Sequence, residues 1–207
     1  MKVINSMKRF SEDDIEEIVD ILKNNGVISV PTDTVYGVCA RIDSKKAHDN
    51  LILVKNRPET KPFPVMCANE EQIKGIAIVN EKAEKIIKSF MPGPITIVLN
   101  KKETVPDYVT NGKKTIAIRM ATSKTLEKII LSLGAPIFMS SANQSGEKTS
   151  ESLEEIEKNC PKINGILEGK IKLGVGSTII DCTSEKIKVL REGPIKLEEI
   201  NNIINHS

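Results

Sequence analysis

The sequence predicts an α/β fold, a mixed β-sheet flanked by helices. Three observations predict it. Apolar strand-like runs alternate with amphipathic helical stretches along the whole chain, but irregularly. The last two strand-like runs, at 178–182 and 186–190, flank Thr183-Ser184-Glu185 and read as a hairpin, which a purely parallel, doubly wound sheet would not contain. The chain has 207 residues, 39% hydrophobic and 28% charged, enough for one sizeable core and short for two. A single domain over 1–207 is therefore expected.

Each element has a local reason. Ser11-Glu12-Asp13-Asp14 has the form of a capping box, with Asp in the usual Glu place, and opens a helix to about Lys23 with Ile15, Ile18, Val19 and Leu22 on one stripe. Gly26 restarts the chain as a strand, Val27-Ile28-Ser29-Val30, which Pro31 ends. Ser44 caps a helix through Lys55 with Ala47, Leu51 and Val54 inward, and Pro58 stops it. A short strand covers 64–68. A helix spans 81–90, and Met91-Pro92-Gly93-Pro94 turns into a strand at 95–99. Residues 115–120 alternate most clearly, with Ile116, Ile118 and Met120 on one face and Thr115, Ala117 and Arg119 on the other. Ser123 caps a helix carrying Leu126, Ile129, Ile130 and Leu133. Gly134-Ala135-Pro136 leads into a strand at 137–139. A helix follows near 152–158, then the hairpin, then a last helix over about 197–204.

Composition excludes several classes. Net charge is only +2, so bulk electrostatics give no case for nucleic-acid binding, and an anion site must come from local clustering. No apolar run approaches the ~20 residues of a membrane helix, and Met1–Ser6 lacks the apolar segment of a signal peptide. Cys39, Cys67, Cys160 and Cys182 are far apart without a C-x-x-C pair, as expected of buried free thiols in a reducing cytoplasm. The two histidines do not suggest chemistry: His48 reads as an exposed helical position and His206 is penultimate. A Ser-His-Asp or Cys-His mechanism and a His-rich metal site are both disfavoured.

The most informative stretch is Pro31-Thr32-Asp33-Thr34-Val35-Tyr36-Gly37, which places two hydroxyls, a carboxylate, a phenol and a glycine at a strand exit. An ordinary strand-to-loop exit is the alternative. No G-x-x-x-x-G-K-[ST] loop and no G-x-G-x-x-G occurs, so side-chain cations would have to bind any nucleotide phosphates. Lys55 and Arg57 end a helix, where cations also simply complement the dipole, and Lys61 follows in the same polar loop. Arg119 sits mid-strand between apolar neighbours and needs a partner there. A structural carboxylate would serve, and so would a ligand's carboxylate or phosphate. Arg191 faces the same choice. Ser140-Ser141-Ala142-Asn143 and Gly176-Ser177-Thr178 supply donors at strand ends, either as turn caps or as ligand contacts.

Taken in order, Pro31–Gly37, Lys55-Asn56-Arg57-Pro58, Lys61-Pro62, Ile118-Arg119-Met120, Ser140–Asn143, Gly176–Thr178 and Leu190–Gly193 resemble the YrdC-like family of threonylcarbamoyl-AMP synthases, in its short single-domain form. The resemblance runs from about Gly26 to Gly193. It implies a twisted, mixed open sheet with a concave ligand-binding face. It also implies an ATP-dependent nucleotidyltransferase that converts L-threonine, bicarbonate and ATP, with Mg²⁺, into threonylcarbamoyl-adenylate and pyrophosphate. A separate transferase complex then places that group on tRNA beside the anticodon. By the resemblance, Lys55, Arg57 and Arg119 are catalytic. Lys55, Arg57, Lys61, Thr115, Ser141, Asn143, Thr149 and Arg191 contact ATP, and Thr32, Tyr36, Arg119 and Ser177 contact threonine. Many relatives carry a histidine near Pro64-Val65-Met66-Cys67, where this chain has none. Ser140 stands where Pro is common.

N-carboxy-threonine already carries an ionised nucleophile, so the reaction asks for alignment and charge neutralisation more than for a strong base. A second reading is a non-catalytic RNA- or nucleotide-binding module in tRNA or ribosome maturation. Aromatic content of 3% argues against it, while a tRNA contact through the Lys55, Arg57, Lys61 and Arg119 cluster keeps it open. A third, the carbamoyl-adenylate domain of hydrogenase maturation proteins, lacks here the zinc-finger-like cysteines and great length of those chains.

Overall fold

The computed structural model describes residues 7–57 and 61–205. In chain order the elements are β1 (Arg9–Phe10), a 3-10 turn (Glu12–Asp14), α1 (Ile15–Lys23), β2 (Ile28–Pro31), β3 (Tyr36–Arg41), α2 (Lys45–Lys55) and β4 (Val65–Cys67). Then come α3 (Glu70–Ile76), β5 (Ala77–Ile78), α4 (Glu81–Phe90), β6 (Ile95–Lys101), α5 (Asp107–Thr110), β7 (Thr115–Met120) and α6 (Lys124–Leu133). The chain finishes with β8 (Ile137–Ser141), α7 (Leu153–Asn159), β9 (Gly165–Leu167), β10 (Thr178–Asp181), β11 (Lys188–Arg191) and α8 (Leu197–Asn205).

The strands form one mixed sheet in the order β1-β9-β2-β3-β8-β4-β7-β6-β10-β11, with β5 added against β6. The expected hairpin is present: β10 and β11 pair antiparallel, while β10 runs parallel to β6 on its other side. Helices cover the sheet. α1 and α6 pack together, and their apolar stripes bury against Phe10, Val30, Cys39, Met66 and Met139. The second core joins residues of α2, α3, α4 and α8 to Val38, Ala40, Val65, Cys67, Ile97 and Ile118. Alternation explains the split, since neighbours such as Val38 and Cys39 point to opposite faces of one strand.

The caps act as anticipated. The Ser11 hydroxyl accepts from Asp13 N–H while the Asp14 carboxylate accepts from the Ser11 N–H, and the Ser44 and Ser123 hydroxyls accept from Ala47 and Leu126. α2 ends at Asn56, whose left-handed φ of 45° closes the helix. Pro58, the expected stop, lies outside the described residues. All four cysteines are buried free thiols, as expected, and burial pushes Cys39 and Cys182 up to about 12.

Two expectations are corrected. His48 is buried, with its ring against Phe63, Tyr108 and Phe138 at centroid distances of 5.8, 5.8 and 5.2 Å. It shares a stripe with Leu51 and Lys55, so α2 buries a wider face than Ala47, Leu51 and Val54 alone. The exit at 31–37 is also shorter than the sequence suggests. Only 32–35 form a loop, and Tyr36 and Gly37 already begin β3, antiparallel to β2.

Candidate functional site

A cavity of about 750 Å³ runs across the sheet. Residues from β3, β8, β4, β7, β6, β10 and β11, which are successive neighbours in the sheet, line it. The loop 32–35 and the segments 173–177 and 192–196 complete the wall. This supports the expected ligand-binding face.

The loop 32–35 is built around one hydroxyl. Thr32 Oγ1 donates to Val35 O at 2.6 Å and accepts from the Thr34 and Val35 N–H groups at 3.2 Å each. That fold brings Thr34 and Asp33 to Arg119. The buried guanidinium donates through Nη1 to Thr34 Oγ1 at 2.8 Å, through Nε to Gly93 O at 3.3 Å, and through Nη2 to the Asp33 carboxylate. The structural carboxylate that the sequence left as one option is therefore Asp33. Burial pulls the Arg119 pKa down and Asp33 opposes the shift. Three of the five guanidinium N–H donors are engaged by these bonds.

On the far wall Arg191 donates through Nε and Nη2 to Ser177 O at 2.9 and 2.7 Å, and through Nη2 to Ser177 Oγ at 3.1 Å. Ser177 Oγ lies 2.8 Å from Thr96 Oγ1. Gly176 permits this close approach, because a Cβ there would fall 2.9 Å from the guanidinium carbon. Arg57 lines the opposite end. It stacks 4.8 Å from the Phe63 ring and donates to Lys61 O and Pro62 O at 2.8 and 3.0 Å.

Of the residues expected at the site, Thr32, Arg57, Arg119, Ser141, Thr149, Ser177 and Arg191 line the cavity. Five do not. Lys61 is exposed, and its carbonyl accepts from Arg57 Nε. Thr115 sits at the start of β7 opposite Asn100, at the other end of the strand from Arg119. The Tyr36 hydroxyl is spent on the Gly169 N–H and C=O at 2.9 and 2.8 Å. Asn143 is buried and donates to Gln144 O and Glu147 O. Lys55 is 1% exposed, and its Nζ donates to Ser141 O and Asn143 O at 2.5 Å each and to Asn143 Oδ1 at 3.1 Å. Burial pulls its pKa down to about 8.

Sequence reasoning assigned no role to Thr34, Thr96 and Lys196, which line the cavity, or to Asp33 behind Arg119. A threonine inside the apolar run Ile95–Leu99 was the legible signal for Thr96. Nothing distinguished Lys196 among the many surface lysines. Pro64, Val65 and Met66 do line the wall, with side-chain chemistry unlike a histidine's.

An open mixed sheet whose face carries a cavity set with arginines and hydroxyls defines an α/β protein suited to small anionic ligands. The chain belongs to the Sua5/YciO/YrdC family, described as "Telomere recombination", which it matches over residues 20–193. It is 35% identical over 205 residues to the threonylcarbamoyl-AMP synthase of Pyrococcus abyssi, covering 98% of this chain and 60% of that protein. It is 32% identical to a putative threonylcarbamoyl-AMP synthase of Methanocaldococcus jannaschii, covering 92% of each. Among solved structures, P. abyssi Sua5 complexed with L-threonine superposes with a TM-score of 0.89 at 33% identity, over 95% of this chain and 60% of that one. Escherichia coli YciO superposes with a TM-score of 0.84 at 25% identity, over 94% and 99%. The chain thus spans about three fifths of the P. abyssi relative.

Proposed function

We propose that this protein is a threonylcarbamoyl-AMP synthase acting on L-threonine, bicarbonate and ATP. The observation that carries the reading is Arg119, a buried guanidinium at a cavity wall, oriented by Asp33 and Thr34 and keeping N–H groups for a ligand carboxylate. The relatives named as this synthase, and the L-threonine complex of one of them, support it.

In this reading Arg119 takes the α-carboxylate of threonine, and Thr32 and Ser177 take its polar groups. Arg57, Ser141, Thr149 and Arg191 serve the nucleotide, and Lys196 adds a cation at the same rim. The threonine nitrogen bonds to the carbon of bicarbonate, with loss of water, to give the N-carboxylate. One oxygen of that carboxylate then bonds to the α-phosphorus as the bond to the β-phosphate oxygen breaks, and pyrophosphate leaves. The protein aligns the two ends and offsets charge.

Magnesium fits as a companion of the triphosphate. No group of three or more His, Cys, Asp or Glu side chains suited to a metal occurs among the described residues, and Glu192 is the carboxylate on the cavity wall. Bound there, the ion would neutralise phosphate charge. The product is a reactive mixed anhydride that a separate tRNA transferase complex would consume. Four reduced, buried thiols fit a cytoplasmic setting. No helix among the described residues is long and apolar enough to cross a membrane.

The test is pyrophosphate release with ATP, Mg²⁺ and bicarbonate, with and without L-threonine. Release should require both threonine and bicarbonate and vanish in Arg119→Ala. A folded protein that binds ATP or RNA without releasing pyrophosphate would replace this reading with the non-catalytic module.

A further inference from the structure

The segment 140–143, whose Ser140 and Ser141 line the cavity, is held from behind by an unusual buried cation. Lys55 is the last residue of α2, and its ammonium is surrounded by oxygens of Ser141 and Asn143. Asn143 Oδ1 also accepts from Ser141 Oγ at 2.5 Å. The backbone of the same helix end returns the contact: Ser145 N–H donates to Lys55 O at 3.0 Å and Gln144 Nε2 donates to Val54 O at 3.1 Å. Arg57, two residues further on, lines the cavity itself. Among the described residues, Cys160 and Arg57 are the other titratable groups that act on the ammonium, and its acceptors are neutral oxygens.

This arrangement suits a fastener better than a ligand contact. Turning the ammonium toward a phosphate would break three charge-assisted bonds at once, although Asn143 Oδ1 would keep Ser141 Oγ and Ser141 O would keep the Asn143 N–H, and would loosen the wall that carries Ser141. We propose that Lys55 is a positioning residue, whose ammonium fixes the backbone of 140–143 against the end of α2 and stays on those oxygens when the cavity is filled. The identity of the filling ligand rests on the synthase reading, but the fastening does not.

Two measurements decide it. Amide hydrogen exchange on ligand-free Lys55→Met should show protection at Asn143 and Ser145 falling by roughly ten- to a hundredfold, as expected for losing charge-assisted bonds, with α1 and α6 unchanged. Unchanged exchange at 141–145 would overturn the proposal. Amine acetylation of wild type, followed by mass spectrometry, serves if the variant does not fold. Lys55 should label far more slowly than exposed Lys46 and Lys124, with or without ATP. Ready labelling that ATP suppresses would place the ammonium in the cavity and sink the idea. A wild type that fails in the pyrophosphate assay but keeps Lys55 unreactive would cost the synthase reading alone.

Discussion

Arg119 and Lys55 are both buried cations beside one cavity, and they meet the cost of burial differently. Arg119 has a full counter-charge in Asp33, with side-chain exposures of 9% and 14%. Among the described residues, the acceptors around Lys55 are neutral oxygens. A carboxylate partner keeps a buried cation charged across the working range, whereas amide and carbonyl dipoles leave the desolvation cost partly uncovered. The lesson is that position near a cleft does not assign a cation's role. The partner set does.

The largest expected effect comes from breaking the charged pair. Arg119→Ala strands Asp33 and should destabilise the fold by about 3–5 kcal/mol in urea denaturation, besides abolishing carboxylate binding. Destabilisation below about 1 kcal/mol would show that Asp33 is solvated and the contrast is false.

The next test uses pH. The folded chain holds the Lys55 proton with a pKa of about 8 against the ordinary 10.5, so the unfolded chain binds more protons between those values. Stability therefore rises as pH climbs through that window, and the cost is fully present below it. Wild type should gain about 1–2 kcal/mol relative to Lys55→Met from about pH 7.5 to about pH 9.5. A flat difference would mean that the oxygens stabilise the ammonium as well as water does. A milder change, Thr34→Val, removes one acceptor from Arg119 and should cost about 1–2 kcal/mol by the same denaturation. At the small end, Lys45→Ala loses an exposed pair with Asp49 and should shift stability by no more than about 0.5 kcal/mol.

Much of this was legible in the sequence where one face is buried and one is wet. α4 at Glu81–Phe90 and β7 at Thr115–Met120 match their expected bounds, because apolar residues recur there with the period of the element. β3 was not legible as a strand. Five of its six residues are buried on both faces, so no alternation marks it. β1, β5 and β9 are two or three residues long and exist only through their partners. At the site, Arg119 was conspicuous as a charge in an apolar strand. Asp33 had no assigned role because its significance depends on Arg119, some 86 positions away. The family resemblance placed Lys55 at the phosphates, and a lysine at a helix end gives no sign in the sequence of which way its stem turns.

The cavity draws its wall from Thr32 through Lys196, and from every strand between β3 and β11 in the sheet. No fragment of the chain holds a binding site of its own, since no short segment contains both ends of the cleft. Occupancy is then thermodynamically linked to the folding of the whole sheet. A ligand at a hundred times its dissociation constant would add about 2.7 kcal/mol to global stability, protecting β11 from opening as firmly as β3, which lies six strands away across the sheet.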